Sequence, residues 1–314
     1  MIRLGSRRSP LALVQAEAVA AMLRSGDHVV EIVPIESFGD RHRAAPDKSK
    51  WVLEFEQALL DDRIDLAVHS AKDVPGDLPE GLEIAAASGR EDPRDVLIGT
   101  TSLDALPDGA RVGTASLRRA SQLLAARRDL RIVEARGNVD TRLGRLARDH
   151  EDRLDAIVLA QAGLDRLGRD PGVRTLLDGP TFVPAPGQGT LLIEGRTGDP
   201  IGRIARGLLH DAKNGVCLRA ERTVAAALGA DCTSAVGAFA RHRDGELVLT
   251  GFVGAPDGSG WAIDEQRGPA DDAEALGARV AERLRRAGAD ELLAAARAAA
   301  PYDPEDSVRK ARPS

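Results

Sequence analysis

Short apolar runs alternate with stretches of helical periodicity near the start of the chain. The runs that predict strands are residues 2–5, 29–35, 64–70 and 82–88. Amphipathic spacing predicts helices over 10–23 and 51–62, and the first has Ser9 as a suitable N-cap and Pro10 as a suitable first residue. Strands that alternate with helices of this length are typical of a mainly parallel sheet covered on both faces.

The same alternation begins again near residue 110. The predicted strands are residues 111–114, 131–136 and 154–160, and the predicted helices are residues 117–128 and 139–149. A second unit similar in size to the first favours two α/β domains around a cleft. We expect the chain to cross between them near 90–100 and 184–190, where the Pro and Gly residues of "PAPGQG" suit a hinge.

The order of elements changes near residue 215. A helix is predicted over residues 216–228. Three strands are predicted after it, over 235–241, 246–253 and 261–267. An alanine-rich helical region with a break at Gly288 then covers residues 271–299. Because no helices separate these strands, the pattern predicts a small α+β domain. The polar residues after Tyr302 predict a frayed tail.

Composition narrows the classes of function. A chain of 314 residues is long enough for two or three domains with their own cores. The formal net charge of −6 excludes a global field that attracts nucleic acid or an anionic membrane, so anion recognition must come from local clusters. No apolar run is long enough to span a membrane, the amphipathic start differs from a secretory signal, and two cysteines are too few for a disulfide scaffold. These features predict a cytoplasmic protein.

Arginines stand where predicted strands lead into predicted helices. In "GTASLRRASQ" (113–122), Ser116 is a candidate helix cap, and Arg118 and Arg119 add planar cations beside the free N–H groups of the helix start. The alternative is a solvated basic helix face. The other arginines at comparable places are Arg7, Arg8, Arg136 and Arg142. Several such positions in a net-acidic protein favour a polyanionic ligand.

The segment "HSAKDVP" (69–75) follows a predicted buried strand, so its side chains emerge at the carboxyl edge of the sheet. Asp73 is a candidate catalytic carboxylate, with capping as the alternative, and His69 is more typical of a structural residue than of a base. Cys217 suits a small buried side chain in a helix, whereas Cys232 lies on a predicted loop, where packing and a functional thiol are both open. Without a nucleotide-binding glycine pattern or paired C-x-x-C motifs, we predict no nucleotide or metal site.

Taken together, these stretches resemble the porphobilinogen deaminase family. The matching segments, in family order, are "RLGSRRSPLALVQA", "DLAVHSAKDVP", "REDPRDVLIG", "GTASLRRASQ", "ARGNVDTRL", "AGLDRLG", "PAPGQG" and "RAERTVAAALGADC". The resemblance implies two α/β domains like type II periplasmic binding proteins, with the active cleft between them, plus a small C-terminal α+β domain that carries the cofactor cysteine. The implied limits are residues 1–90 with about 190–208, residues 94–186 and residues 212–303, with a tail at 304–314.

The resemblance also implies an activity. A transferase of this family condenses four porphobilinogen molecules head to tail, releases ammonia, and yields linear hydroxymethylbilane for tetrapyrrole (haem) biosynthesis. A covalent dipyrromethane cofactor, itself made from two porphobilinogens, primes the reaction, and Cys232 matches the cysteine that holds it by a thioether. The expected partner is the substrate porphobilinogen, with no nucleic acid or membrane, and the family expectation is a monomer.

Each matching residue takes a role from the resemblance. Asp73 matches the catalytic carboxylate, which stabilises the positive ring nitrogen of the azafulvene formed when ammonia leaves and helps to move protons. The positions that match cofactor-binding residues, besides Cys232, are Lys72, Ser116, Arg118, Arg119 and Arg136. The positions that match substrate-binding residues are Arg7, Ser9, Arg142, Arg166 and Gln188.

Two segments depart from the family pattern. Where the family has Gly-Lys-Gly-Leu-Phe and a further lysine in a mobile lid, this chain reads "KSKWVLE" (48–54), so one expected lysine is missing. Where the family commonly has Gly-Gly-Cys and then a proline, this chain has "ADC" (230–232) and Ala235. The carboxylate of Asp231 disfavours the neighbouring thiolate, so we expect slower cofactor loading.

Two other classes of function compete with the transferase. A non-catalytic solute-binding protein uses the same two-lobed architecture, but the sequence lacks an export signal pattern and has a third domain with a loop cysteine. An effector-sensing regulator domain needs a helix-turn-helix segment and a basic face, and neither is predicted.

Overall fold

The computed structural model of the chain describes residues 1–36, 52–147, 152–230 and 234–299. Several predictions concern residues outside these ranges, namely the lid residues 48–51, the loop residues Asp231 and Cys232, and the tail at 304–314. Among the helices of the described ranges, none is long and apolar enough to cross a lipid bilayer.

The first sheet contains four strands that run in one direction and a fifth that runs against them. The strands are β1 (Ile2–Ser6), β2 (Val30–Pro34), β3 (Leu66–Ser70), β4 (Leu82–Ala87) and β10 (Leu191–Arg196), in the order β2-β1-β3-β10-β4. Three helices pack on this sheet: α1 (Pro10–Ser25), α2 (Leu53–Leu60) and α6 (Pro200–Leu209). Because side chains alternate along a strand, Leu66 faces the core under α1, and Ala67 faces the core under α2.

The second sheet repeats this arrangement with shorter strands. Its strands are β5 (Asp95–Ile98), β6 (Arg111–Gly113), β7 (Arg131–Val133), β8 (Ala156–Ala160) and β9 (Arg174–Leu177), in the order β7-β6-β8-β5-β9. Its helices are α3 (Leu117–Ala126), α4 (Val139–Gly144) and α5 (Gln161–Leu167). Asn138 caps α4, since its side chain accepts a hydrogen bond from the amide of Thr141 at 2.7 Å.

The chain crosses between the two sheets after β4 and again after β9. Each crossing leads into the one strand that runs against its neighbours: β5 pairs with β8 and β9, and β10 pairs with β3 and β4. The mainly parallel sheets agree with the prediction, but the sequence does not predict β5 or β10. A short apolar run has the same pattern in a strand of either direction or in a buried helix, so only the crossings place these two strands.

The third sheet is a three-stranded antiparallel meander. Its strands are β11 (Val236–Arg243), β12 (Glu246–Gly254) and β13 (Trp261–Gly268), preceded by α7 (Ala212–Ala227) and followed by α8 (Ala273–Arg286) and α9 (Ala289–Ala299). Gly288 has φ +95°, which ends α8 at the predicted break. Apolar side chains of the sheet and the helices share one core, which includes Val224, Leu249 and Val280. The predicted fold class, two α/β units and a small α+β unit, is confirmed.

A buried acidic cluster lies between the first sheet and α2. Glu56 on α2 and Glu194 on β10 are both buried, and Oε2 of Glu194 lies 3.2 Å from Nε2 of His69 on β3. The ring of His69 also meets Phe55 edge to face, so this histidine is a packed structural side chain. Burial, with a smaller contribution from the charge of Glu194, raises the pKa of Glu56 to about 7.

The variant Glu56→Gln is expected to be more stable than the wild type at alkaline pH. The pKa of Glu56 is about 7 in the folded chain, compared with its ordinary value of 4.5. The unfolding free energy of the wild type therefore falls as the pH rises from 4.5 through about 7. We expect a gain of about 2 kcal/mol near pH 8 and a smaller gain near pH 5, measured by urea unfolding. Glu80→Gln, at an exposed position, is the control and should leave the unfolding free energy unchanged at both pH values. A gain that is independent of pH would contradict the interpretation.

Candidate active site

The turn after β3 and the second crossing meet in the space between the first and second sheets. Lys72 and Asp73 lie in a 3-10 turn (Ala71–Asp73) at the carboxyl end of β3. Nζ of Lys72 donates a hydrogen bond to Oε1 of Gln188 at 3.4 Å. Gly187 has φ +76°, and a Cβ there would lie 2.8 Å from Cβ of Ala71. The glycine therefore lets the crossing pack directly against the turn that carries Asp73.

A buried aspartate at the start of β5 connects the candidate residues of both sheets. Oδ2 of Asp95 accepts a hydrogen bond from Nη1 of Arg118 at 2.7 Å. Oδ1 of Asp95 accepts from Nη2 and Nε of Arg119 at 2.7 and 3.0 Å, and from Nε2 of Gln188 at 2.9 Å. Burial by itself raises the pKa of Asp95, but the charges and hydrogen bonds of the two arginines outweigh it and hold the pKa well below its ordinary value.

Positive charge exceeds negative charge around Asp95. The nearby cations are Lys72, Arg118, Arg119 and Arg142, and the nearby anions are Asp73 and Asp95. Burial, followed by the charge of Arg119, lowers the pKa of Lys72 to about 8 and that of Arg142 to about 10. The charge of Asp73 opposes both shifts, so its carboxylate lies within electrostatic range of a cation on each side of the cleft. A partly buried excess of cations favours an anionic ligand.

Two further arginines predicted from the sequence, Arg136 and Arg166, lie at the border of this group, near Arg142 and the crossings. Nε of Arg142, on α4, donates to the carbonyl of Gly137 at 2.8 Å, and the charge of Arg136 contributes to the lowered pKa of Arg142. Nε of Arg136 contacts Oε1 of Glu134 at 2.6 Å. Arg166, on α5, donates to Glu91 at 3.1 Å and to the carbonyl of Gly189 at 2.8 Å. Arg166 therefore contacts both crossings.

The two predicted serines cap helices. The hydroxyl of Ser116 accepts a hydrogen bond from the amide of Arg119 at 3.4 Å, and that of Ser9 accepts from the amide of Ala12 at 3.3 Å. Arg7 lies between β1 and α1, and the start of α1 packs against α5, where a Cβ at Gly163 would lie 3.7 Å from Cδ2 of Leu11. The β1–α1 junction therefore lies at the boundary between the first two sheets.

Sequence reasoning missed several polar residues that hold the site together. Gln122 accepts a hydrogen bond from Nη1 of Arg118 at 3.1 Å and donates to the carbonyl of Val183 at 2.9 Å. The buried Glu221 accepts from both Nη atoms of Arg90 at 2.6 and 2.8 Å, and from the amide of Gly187 at 2.7 Å. A carboxylate next to apolar residues, as in "DVLI" (95–98), is the sequence signal that indicates such a buried polar contact. A carboxylate that is buried with its apolar neighbours needs a cationic partner.

The fold and the cleft define a two-lobed α/β protein with a cation-lined cleft and an attached α+β unit. Residues 2–202 match the family described as porphobilinogen deaminase, dipyromethane cofactor binding domain, and residues 216–286 match the porphobilinogen deaminase C-terminal domain. Porphobilinogen deaminases from two strains of Acidithiobacillus ferrooxidans are 45% identical over 301 residues, which cover 93% of this chain and 97% of each relative. The chain belongs to the porphobilinogen deaminase family.

Family membership confirms the predicted enzyme class, a transferase of tetrapyrrole biosynthesis, and the predicted dipyrromethane cofactor. Among solved structures, a periplasmic substrate-binding protein of an ABC transporter from Coxiella burnetii is 18% identical, with a TM-score of 0.42 over 68% of this chain and 93% of that one. A nutrient-binding protein from Burkholderia cenocepacia bound to methionine is 15% identical, with a TM-score of 0.42, and the match covers 65% of this chain and 90% of that one. Neither similarity supports a conclusion about function.

Replacing Asp95 by Asn is expected to destabilise the protein by about 3 kcal/mol near neutral pH, because two buried arginines lose their common counterion. The pKa of Asp95 in the folded chain is depressed below its ordinary value of 3.8. The contribution of Asp95 to the unfolding free energy is therefore fully present above pH 3.8 and declines as the pH falls below that value. Urea unfolding across this range measures both effects. Asp92→Asn, which affects a more exposed pair with Arg94, is the control and should cost about 1 kcal/mol or less. Equal losses in the two variants would contradict the central role of Asp95.

Proposed function

We propose that the cleft between the first two sheets binds the carboxylates of porphobilinogen and of the growing chain while the enzyme forms hydroxymethylbilane. The observation that carries this proposal is the excess of cations around Asp95. Each pyrrole unit bears an acetate and a propionate, so each added unit brings two more negative charges into the cleft. Guanidinium groups suit these carboxylates because they bind them in a planar, bidentate manner.

The residues of the cleft fit a cofactor with several carboxylates. The hydrogen bonds that Arg118 makes with described residues, to Asp95, Gln122 and Val183, all use Nη1, so Nε and Nη2 can serve a ligand. When bound, dipyrromethane supplies the free α-carbon to which substrate units are added. The residues that we assign to holding it are Lys72, Ser116, Arg118, Arg119 and Arg136.

We assign substrate binding to residues on both sides of the cleft, with direct contact by Arg7, Ser9, Arg142 and Arg166 and an indirect contribution by Gln188. Arg142 uses Nε for the carbonyl of Gly137, which leaves its two terminal nitrogens available for a carboxylate. Gln188 has a relative exposure of 1%, and its amide already bonds Lys72, Asp95 and the carbonyl of Pro93. In our proposal Gln188 therefore acts by orienting Lys72 rather than by direct contact with substrate.

Asp73 is the catalytic residue in this proposal. Its carboxylate is partly buried beside Lys72 and within electrostatic range of Arg142. Oδ of Asp73 can accept a hydrogen bond from a pyrrole N–H and stabilise the positive charge that develops on the ring nitrogen as ammonia leaves. The same oxygen can accept and return a proton during the bond-forming step. Lys72 neutralises a substrate carboxylate next to it, and that carboxylate in turn favours the charged ammonium.

We assign the covalent attachment of the cofactor to Cys232. The other cysteine, Cys217, is buried in α7, and burial raises its pKa to about 11, which makes its thiol a poor nucleophile near neutral pH. Cys232 lies outside the described residues, but it follows shortly after α7 ends at Ala227. Because α7 packs against the turn that contains Asp73, a loop that leaves this helix starts close to the cleft.

We also propose the domain limits and the setting of the enzyme. The limits are residues 1–90 with about 190–208, residues 94–186 and residues 212–303, with a tail at 304–314. The return of β10 and α6 to the first sheet supports the split first domain. A formal net charge of −6 supports an enzyme that binds no nucleic acid or anionic membrane. We propose that it acts in the cytoplasm as a monomer.

Intact-mass measurement should find the purified protein heavier than its sequence by one dipyrromethane. This added mass is expected to be absent from Cys232→Ser and present in Cys217→Ser, because only Cys232 is assigned as the anchor. An active wild-type enzyme without added mass would contradict covalent attachment. A protein that binds porphobilinogen reversibly without turnover or added mass would instead be a solute-binding protein.

The variant Asp73→Asn is expected to keep the bound cofactor but to lose turnover by about 100-fold or more, since a neutral amide cannot stabilise the developing charge. Hydroxymethylbilane formation measures turnover, and intact mass measures the cofactor. Asp77→Asn is the matched control, because Asp77 is exposed shortly after the same turn and should tolerate the change. Wild-type rates in Asp73→Asn would remove Asp73 from the mechanism.

A further inference from the structure

Arg222 on α7 reaches from the third unit of the fold to the turn that carries Asp73. Its Nη2 donates hydrogen bonds to the carbonyls of Pro75 and Gly76 at 2.7 and 2.6 Å. Its Nη1 lies 3.5 Å from the carbonyl of Val74. One guanidinium therefore contacts three consecutive carbonyls that directly follow the catalytic aspartate.

Close packing surrounds these hydrogen bonds. A Cβ at Gly76 would lie 3.2 Å from Cβ of Ala226, so the backbone of the turn rests directly on α7. Leu218, one helical turn before Arg222, shares an apolar cluster with Ala71 and Val74 on the two sides of Asp73. The turn therefore contacts α7 through both apolar and polar groups.

α7 also holds the second crossing, through the residue that precedes Arg222. Glu221 accepts the amide of Gly187 and pairs with Arg90. Glu221 and Arg222 are consecutive, so α7 contacts both segments that adjoin Lys72 and Asp73. The helix ends at Ala227, and Cys232 follows in the sequence. The helix that contacts the catalytic turn is therefore also the last described helix before the proposed anchor in the chain.

The surroundings of Arg222 indicate a role in orienting the backbone. Within the described ranges no ion pair joins Arg222 to a carboxylate, although the charges of Asp77 and Glu194 favour its charged form. Burial lowers the pKa of Arg222, and those two carboxylates oppose the shift. Holding a partly buried arginine without an adjacent counterion is costly unless its N–H groups are hydrogen-bonded. Those of Arg222 donate to loop carbonyls that have no regular secondary-structure partner.

We propose that Arg222 is a positioning residue for the reaction. It fixes the Val74–Gly76 segment, and through it the carboxylate of Asp73, relative to α7. This inference rests on the proposed catalytic role of Asp73. It predicts that loss of the guanidinium lowers kcat more than it changes KM, because Arg222 does not line the proposed substrate-binding side of the turn.

A neighbouring cavity makes a chemical rescue experiment possible. Arg222 lines a cavity of about 470 Å³ between α6, β4 and α7, together with Arg206 and His210. A small cation that enters this cavity can occupy the place of a truncated side chain. Arg206 supplies a matched control, since it lines the same cavity and donates to the carbonyl of Ile84 at 3.0 Å, away from the catalytic turn.

The test compares Arg222→Ala and Arg206→Ala with the wild type, using protein whose intact mass shows bound cofactor. We expect kcat of Arg222→Ala to fall by about 10- to 100-fold with little change in KM, and millimolar guanidinium chloride to restore part of it. Sodium chloride at the same concentration should not. Arg206→Ala should retain kcat with or without guanidinium.

Hydrogen–deuterium exchange on the same cofactor-loaded protein gives a readout that does not depend on activity. The amide of Val74 donates to the carbonyl of Ala71 at 3.3 Å, so its exchange should be faster in Arg222→Ala than in the wild type or in Arg206→Ala. If Arg222→Ala does not fold, Arg222→Lys serves instead. The single ammonium of the lysine cannot reach all three carbonyls. We therefore expect Arg222→Lys to show both a lower kcat and a faster exchange than the wild type, each by less than in Arg222→Ala.

Two outcomes would overturn the positioning role. One is a kcat of the folded Arg222 variant within roughly two-fold of the wild type. The other is an equal loss in Arg206→Ala, which would indicate a general effect of the cavity. Failure of the wild type to form hydroxymethylbilane would overturn the proposed function instead. An active wild type with a fully active Arg222→Ala would leave the proposed function intact and remove only this inference.

Discussion

The pairing of Asp95 with Arg118 and Arg119 is the interaction on which the active cleft depends. One carboxylate neutralises two buried guanidiniums and also accepts a hydrogen bond from Gln188, so it joins β5, α3 and the second crossing. Without it, two like charges would lie together in a region poor in water, at a cost of several kcal/mol. With it, one net positive charge remains, which suits the anionic ligand that we propose for the cleft.

A second buried carboxylate extends this arrangement to the third unit. Glu221 holds Arg90 and the amide of Gly187, so the small α+β unit is tied to the two crossings. Arg222 beside it reaches the turn that contains Asp73. The acidic cluster beneath α2 shows the opposite case, because in the described part of the chain no arginine forms an ion pair with Glu56 or Glu194, and the pKa of Glu56 rises. Carboxylates paired with arginine thus organise the cleft, whereas ionisation of Glu56 lowers the stability at high pH.

Much of the fold was predictable because its signals are local. Ser9 and Ser116 cap their helices as predicted, and the break at Gly288 follows from a residue that tolerates φ of +95°. The candidate cations Lys72, Arg118, Arg119 and Arg142 do lie near one another. The sequence did not predict that Arg118 and Arg119 share Asp95 or that Gln188 is fully engaged, because these contacts join segments far apart in the chain.

The sequence by itself determined the alternating elements, the three units of the fold and the residue types suited to a polycarboxylate. These depend on periodicity, capping and side-chain chemistry, which act over a few neighbouring residues. Only the tertiary structure decided that β5 and β10 run against their neighbours, that Asp95 pairs with two arginines, and that Arg222 contacts the turn that contains Asp73. Such features arise when the two crossings bring distant segments together, since burial and charge pairing depend on what surrounds a residue in space.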